Sequence, residues 1–416
     1  MRLLYRLLTL ALTPLALIKL QRSETQPGRW SERLGRVRRA GGSPIWIHAA
    51  SVGEINAARA LIEALLNGED SVLVSTMTVT GAERCRTLFG ERVEHRYLPL
   101  DNPFAVRRWL MQLRPRAGLV VETEIWPELF LRCKDLGIPL VLVSARLSPS
   151  AMKHYRRFAG LYADALSCVA LACCQTKTDL ERFQSLGLSA ERIMVTGNLK
   201  FDLEIPADLR ASYKAPDWSG RPVWTAGSTR PGEEALLIKA HRQVIEKIPE
   251  AVMILAPRHP QRAGEISHLL DQNQLRWCLF GEQPTDAINV VLVDQLGVLM
   301  HCYASSRAAF VGGSLVDLGG HNLLEPAILG LPVLAGPFLG QQQVAAEGLR
   351  ATGGLVQIKD ETELASQLKR LLSSDDEAAR IGEAARAAVE AGRGALGQTL
   401  TAIRPFLNGT ASEQSG

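Results

Sequence analysis

Residues 45–54 read IWIHAASVGE. IWIHAA (45–50) is a near-continuous apolar run of strand length. Ser51, Val52 and Gly53 make a small-residue turn, and Glu54 opens a helical pattern over 54–67. An apolar strand running directly into a helix is the repeating unit of a parallel sheet covered on both faces. The unit recurs: SVLVST (71–76), AGLVVE (117–122), PLVLVS (139–144) and CVALACC (168–174) read as strands, with helical patterns over 80–90, 102–113, 127–136 and 148–161. The alternation pauses over 201–221, which is rich in Pro, Asp and Ser. It restarts with PVWTAGS (222–228), AVMILAP (251–257), INVVLVD (288–294), RAAFVGG (307–313), PVLAG (332–336) and GLVQI (354–358). The pattern predicts an α/β protein with two domains joined by a linker. The boundaries expected are a membrane-associating segment over 1–22, a first domain over 23–205, a second over 206–400 and a tail over 401–416, frayed from 408. Ligands of such sheets bind beyond the carboxyl ends of the strands, so the expected active site is a cleft between the domains.

With 416 residues, 46% of them hydrophobic, the chain can bury two such cores, which rules out a disordered or fibrous protein. Its seven cysteines form no Cys-x-x-Cys pair, so they imply neither a disulfide framework nor a zinc cage. The net charge is +4, but residues 1–40 hold nine Lys/Arg against Glu24 and Glu32, leaving the remainder slightly acidic. That balance argues against a nucleic-acid partner. Residues 7–18 (LLTLALTPLALI) carry no charge. As a helix they are too short to cross a bilayer and suit a shallow anchor in one leaflet, with the basic run Arg29–Arg39 facing anionic lipids. The alternative is a helix packed on its own domain.

Four motifs carry candidate chemistry. Glu54 at the mouth of the first strand is either an ordinary first-turn acid, favoured by the helix dipole, or a general base. The cluster Glu122-Thr123-Glu124-Ile125-Trp126-Pro127 ends another strand, which would put its carboxylates on the same sheet edge as Glu54. In LAPRHPQR (255–262), Arg258 follows a strand and suits a phosphate or carboxylate. In GGSLVDLGGHNLLEP (312–326), Asn322-x-x-Glu325 is either a capping box or a helix start beneath a nucleotide phosphate. Neither a dinucleotide-binding glycine fingerprint nor a phosphate loop with its Lys-Ser/Thr is present, which argues against hydride transfer and ATP hydrolysis.

These motifs, with RWSERLG (29–35), TMTVTGAER (76–84), YLPLDNP (97–103), SARLS (144–148), TGNLKFD (196–202) and AGSTRPGEE (226–234), resemble in order the transferases of 3-deoxy-D-manno-oct-2-ulosonic acid (Kdo) in lipopolysaccharide assembly. The resemblance implies the glycosyltransferase B fold, two Rossmann-like domains facing each other across a cleft. It also implies an inner-membrane location on the cytoplasmic face, CMP-Kdo as donor, a lipid A precursor as acceptor, and neither cofactor nor metal. By the same resemblance Glu54 matches the catalytic base, and Glu124 and Lys200 match positions that support the transition state. Pro257, Arg258, Leu296, Gly297, Val298, Asn322, Leu323, Leu324 and Glu325 match the CMP site. The chain departs from the family pattern at Val298, where a Glu is expected, and at Ser144, where an Asn is expected before Ala-Arg-Leu-Ser. The competing expectation is another enzyme of the same fold that uses a UDP-sugar, a transferase or a 2-epimerase.

Overall fold

The structure, a computed structural model, describes residues 1–23, 29–38, 41–203, 220–282 and 287–407, with positions 205, 209, 218 and 285. The chain forms two compact units. The first comprises residues 1–202 and 393–416, the second residues 203–392.

The first unit is built on seven parallel strands: β1 (Ile45–His48), β2 (Val72–Thr76), β3 (Glu94–Tyr97), β4 (Ala117–Val121), β5 (Leu140–Ala145), β6 (Val169–Cys174) and β7 (Ile193–Val195), in the order β3-β2-β1-β4-β5-β6-β7. Alternation along β1 shows why its sequence is apolar throughout. Trp46 packs into the core on one face, with Trp109 and Phe130, while Ile45 and Ile47 pack into the core on the other, with Leu61 and Ile62. Both faces are covered, so neither side of the strand tolerates polarity.

The second unit repeats the principle with β8 (Val223–Thr229), β9 (Val252–Pro257), β10 (Trp277–Leu279), β11 (Val290–Leu292), β12 (Ala308–Val311), β13 (Val333–Ala335) and β14 (Leu355–Gln357), in the order β10-β11-β9-β8-β12-β13-β14. Trp224, Phe310 and Leu334 pack on one face of this sheet, and Val223, Val252 and Ile254 on the other.

Three strands were not expected from sequence: β3, β7 and β10. They lie at or near the sheet edges, where half-exposed residues such as Glu94, His95 and Arg96 break the apolar run. The helical pattern over 148–161 divides at Phe158 into two helices, Pro149–Arg157 and Ala159–Leu166.

The expected boundary after residue 400 lies elsewhere. Helix Ala395–Leu407 belongs to the first unit, so the chain returns to the domain where it began. Asp202 accepts from the backbone N–H groups of Gly394 (2.7 Å) and Leu396 (2.6 Å), and Ala395 and Ile403 join the first core. These apolar residues find their partners only in three dimensions. The tail from 408, Arg39, and most of the linker between 204 and 219 lie outside the described residues.

The N-terminal helix Arg2–Ser23 is held by polar contacts. Arg2 pairs with Asp164 (2.7 Å), Tyr5 donates to Asp101 (2.6 Å), Arg6 pairs with Glu128 (2.7 Å) and Asn102 donates to Thr13 (3.3 Å). Its other face presents Leu3, Leu4, Leu7, Leu8, Leu12, Leu15 and Ile18, each about half exposed or more. The helix does pack on its own domain, but through its polar face. Among the described residues no helix is long and apolar enough to cross a membrane.

The basic run does not face outward as a block. Arg33 is buried over the Tyr97 ring and donates to the carbonyls of Met77 (2.6 Å) and Leu98 (3.0 Å). Arg29 binds Glu32 and the His95 carbonyl. The RWSERLG segment is therefore partly a structural clamp, and of the described cations in the run from Arg29 only Arg36 and Arg38 are exposed.

Candidate active site

In the first sheet the chain leaves β1 toward β2 on one side and later fills β4 on the other, so the strand order reverses between β1 and β4. Such a reversal opens a crevice beyond the carboxyl ends of the two strands. Glu54 stands after β1, and Glu122 and Glu124 stand after β4. The pairing His48↔Val120 brings those two ends level. Three carboxylates separated by about seventy positions in sequence thus share one site.

Glu54 lies in the first turn of helix Val52–Asn67, and its carboxylate accepts from the Ser51 backbone N–H at 2.6 Å. Glu54 is thus a first-turn acid, as one of its two readings has it, and it also caps the helix. The same group is also electrostatically unusual. Burial, then the charges of Glu122 and Glu124, push its carboxyl up to about 7, against the lowering effect of the Ser51 bonds.

Glu124 is shifted the other way. Burial alone would raise it, but His48, with its ring nitrogen 3.9 Å from the carboxylate, and the Trp126 indole N–H, at 2.8 Å, hold it below the usual carboxylate range. The fully buried His48 is oriented in turn by Ser75, whose hydroxyl lies 2.9 Å from Nδ1. Neighbouring carboxyls whose environments drive their pKa values apart are the usual basis for separate acid–base roles.

Lys200 reaches Glu122 at 2.7 Å. Its loop is fixed from below. Ser144 is buried, its hydroxyl accepts from Leu199 N–H (3.4 Å), and Gln175 donates to its carbonyl (3.0 Å). Glu122 (φ 59) and Ser144 (φ 51) both adopt the left-handed region, a conformation that non-glycine residues hold only where surrounding contacts enforce it. Ser144 thus serves the scaffold beneath Lys200.

In the second sheet the reversal falls between β8 and β12. The GGS turn after β12 folds tightly onto β8: a Cβ on Gly312 would lie 2.4 Å from the Ser228 carbonyl oxygen, and Gly313 has φ +69. The N–H groups of Gly313 (2.7 Å), Ser314 (3.0 Å) and Leu315 (2.9 Å) converge on the buried carboxylate of Glu233, which also accepts from Arg230 N–H (2.9 Å). Glu234 binds Arg262 (2.7 Å) and Thr229 (3.1 Å). The acids of AGSTRPGEE are consumed internally.

Cations remain at this edge. Arg258 is exposed after β9, and Arg230 contacts His259 at 2.8 Å. Burial, then the charges of Arg258, Arg230 and His259, push the His321 imidazole down to about 4. Arg230 and His321 were not singled out in the sequence, because only the fold brings 230, 258, 259 and 321 together. The motif GGHN was the available signal for His321.

The segment 322–325 is neither a helix N-cap at Asn322 nor the start of a long helix. Asn322 accepts from Leu324 N–H (3.1 Å), but the helix Leu324–Ile328 has only five residues, with Leu323 and not Asn322 at its N-cap. A single turn carries too little aligned dipole to serve as a phosphate site. Leu296 is 74% exposed and Gly297 has φ 88, in the turn that leads through Val298 into helix Leu299–Ala304. Pro257, by contrast, is buried at the end of β9.

Comparison with known proteins adds to this geometry. Residues 28–203 match the model of the 3-deoxy-D-manno-octulosonic-acid transferase (kdotransferase) family, and residues 236–388 match that of the glycosyl transferases group 1. The chain is 34% identical over 390 residues to the 3-deoxy-D-manno-octulosonic acid transferase of Haemophilus influenzae, covering 91% of each protein. It is 35% identical to that of Bordetella pertussis, covering 92% of this chain and 91% of the relative. Among solved structures, a UDP-N-acetylglucosamine 2-epimerase superposes with a TM-score of 0.59 at 18% identity, over 90% of this chain and 99% of that one. MurG of Acinetobacter baumannii gives 0.56 at 13% identity, over 88% and 100%. These two show the fold, glycosyltransferase B, with its two Rossmann-like domains. With a switch-point carboxylate cluster in one unit, a cationic edge in the other, and sequence identity above 30% running through both, the chain belongs to the 3-deoxy-D-manno-octulosonic acid transferase family.

Proposed function

We propose that this chain moves Kdo from CMP-Kdo to a hydroxyl of a lipid A precursor, with inversion at the anomeric carbon and Glu54 as general base. The observation that carries this reading is the Glu54 carboxyl, pushed up to about 7 at a switch point it shares with two further carboxylates. A base with a pKa near the working pH combines a usable ionised fraction with a real affinity for the proton it takes.

Glu54 removes the proton of the attacking acceptor hydroxyl. The donor's bond to phosphate lengthens, and positive charge develops on the sugar. Glu124, kept ionised by His48 and Trp126, stabilises that charge. CMP leaves as a phosphate anion, and Arg258 and Arg230 supply the positive charge that meets it, with Lys200 in support. Leu296, Gly297, Val298 and the segment 322–325 line the nucleotide, with Glu325 at its ribose and not the short helix beneath its phosphate. One displacement with one base needs no covalent intermediate, hence inversion. Because arginines provide the charge for the leaving group, the reaction needs no metal.

The N-terminal helix serves the acceptor. Its polar face is spent on Asp101, Glu128 and Asp164, so its leucine face is free to enter one leaflet of the inner membrane on the cytoplasmic side. Among the described cations of the basic run, Arg36 and Arg38 are left to meet anionic lipids.

The test is direct. The purified chain is incubated with CMP-Kdo generated in situ and a lipid A precursor, and the product is read by mass spectrometry. A mass gain of whole Kdo units is expected. Turnover of UDP-sugars without any Kdo transfer would replace this reading with that of a UDP-sugar enzyme.

A further inference from the structure

The first unit contains a second feature on the carboxylate edge. After β5 the chain passes Arg146, Leu147 and Ser148 and enters helix Pro149–Arg157. An open cavity of about 450 Å³ lies between this helix and helix Lys177–Ser185, walled by Lys153, Arg156, Arg182, Glu181, Met152 and Thr178 among others. Its charged lining is three cations against one carboxylate. Arg182 is occupied by the Leu147 carbonyl (2.7 Å) and by Asp179 (3.8 Å). Lys153 and Arg156 are exposed, and neither has an ion-pair partner among the described residues. Another cavity of the unit, about 500 Å³ beside β3, differs in kind. Its Arg29 and Arg96 are already matched by Glu32 and Glu94.

Position says what the cationic cavity is for. Tyr155, on the helix that carries Lys153 and Arg156, donates to the carbonyl of Thr123, between Glu122 and Glu124 (3.2 Å). Thr123 in turn donates to the carbonyl of Arg146. The cavity helix and the carboxylate loop are therefore one hydrogen-bonded assembly. On its other side, Tyr155 packs on Tyr162 with ring centroids 4.3 Å apart. Tyr162 lies on helix Ala159–Leu166, whose Asp164 holds Arg2 of the N-terminal helix. The helix that carries the cations is thus tied to the carboxylate loop, which suits the reacting hydroxyl, and through Tyr162 and its helix to the N-terminal helix, whose leucine face suits lipid.

We infer that the cavity walled by Lys153, Arg156 and Arg182 binds a phosphate monoester carried on the headgroup of the lipid acceptor and so sets where the acceptor hydroxyl lies relative to Glu54. This rests on the proposed transferase reading. An ammonium and a guanidinium are well matched to a dianionic oxyanion, and a fixed anchor point on the headgroup aligns the attacking hydroxyl.

The test is the full-length double variant Lys153→Gln/Arg156→Gln, assayed with a phosphorylated lipid A precursor and with the same lipid after phosphatase treatment. Thermal unfolding should match wild type, since both side chains are exposed. The acceptor KM should rise about tenfold or more, with kcat and the CMP-Kdo KM within about twofold of wild type. The variant and wild type should be alike on the dephosphorylated lipid. An unchanged acceptor KM overturns the inference, as does an equal rise on both lipids. Flotation with acceptor-free vesicles of anionic phospholipid separates the other source of phosphate: if the variant loses vesicle binding instead, the cavity takes bulk lipid and the inference falls. If wild type transfers no Kdo at all, the functional reading fails. The cavity is then judged by micelle binding alone, where preference of wild type but not the variant for the phosphorylated lipid sustains it and no preference ends it.

Discussion

The two sheets place opposite charges at the same topological position. Both reverse strand order beside their first strand, and both follow that strand with a small-residue turn and acids at the next helix. In the first unit Glu54 accepts one backbone N–H, that of Ser51, and is crowded by Glu122 and Glu124, while Lys200 pairs with Glu122. In the second, Glu233 and Glu234 are saturated by backbone N–H groups, Thr229 and Arg262, and the surplus charge is that of Arg230 and Arg258. One scaffold therefore yields a site for moving a proton and a site for holding an anion. What differs is whether the acids of the following helix are left to the ligand or used by the protein.

The largest effect should come from removing the proton acceptor. Glu54→Gln should lower kcat by about 10²–10⁴-fold while leaving the CMP-Kdo KM near wild type. The same variant should be more stable than wild type at neutral pH. Glu54 has a folded-state pKa raised above its unfolded value of 4.5, so the folded chain binds the extra proton between pH 4.5 and about 7, and stability falls as pH rises through that window. A neutral amide removes that penalty. Thermal unfolding across pH 5–8 measures it, and a variant that is both inactive and less stable at pH 8 would return Glu54 to a capping role.

Glu233→Ala should follow. It strands the N–H groups of Gly313, Ser314 and Leu315 in a buried turn, at a cost of about 3 kcal/mol in urea unfolding. Loss of under 1 kcal/mol would mean that water replaces the carboxylate, and the contrast between the two acids would be weaker than described.

Arg258→Ala should raise the CMP-Kdo KM by about ten- to a hundredfold, the worth of one charge-assisted hydrogen bond. The effect should appear in titration calorimetry with CMP alone. Unchanged affinity would remove Arg258 from the anion site and leave Arg230 and His321 to account for it.

A subtler shift should come from Glu122→Gln. Glu122 is the larger of the two charges that raise Glu54, so its loss should move the ascending limb of kcat/KM, near pH 7 in wild type, toward lower pH. A limb that stays in place would leave burial and Glu124 as the causes. The smallest effect expected is none: a metal chelator should leave turnover unchanged in a continuous assay.

Much of this was legible in the sequence, and for identifiable reasons. Strands buried on both faces must be apolar throughout, so β1, β4, β5, β8 and β9 announce themselves, and the order of strand and helix fixes a parallel sheet. A carboxylate right after such a strand falls on the ligand edge, which made Glu54 and Glu124 readable as candidates. Local pattern does not reveal pairings between distant segments. The edge strand β3 mixes Glu94, His95 and Arg96 because half of it is open to solvent. Helix Ala395–Leu407 has an ordinary amphipathic sequence that does not say which domain it will cover; Asp202 and the core around Ile403 decide that. Arg33 reads as one more surface cation until the Tyr97 ring and the carbonyls of Met77 and Leu98 enclose it. The sequence alone determined the residue types at each strand end, because burial and helix periodicity constrain neighbours along the chain. Only the tertiary structure decided their charge states, because a pKa depends on burial and on which charges converge in space.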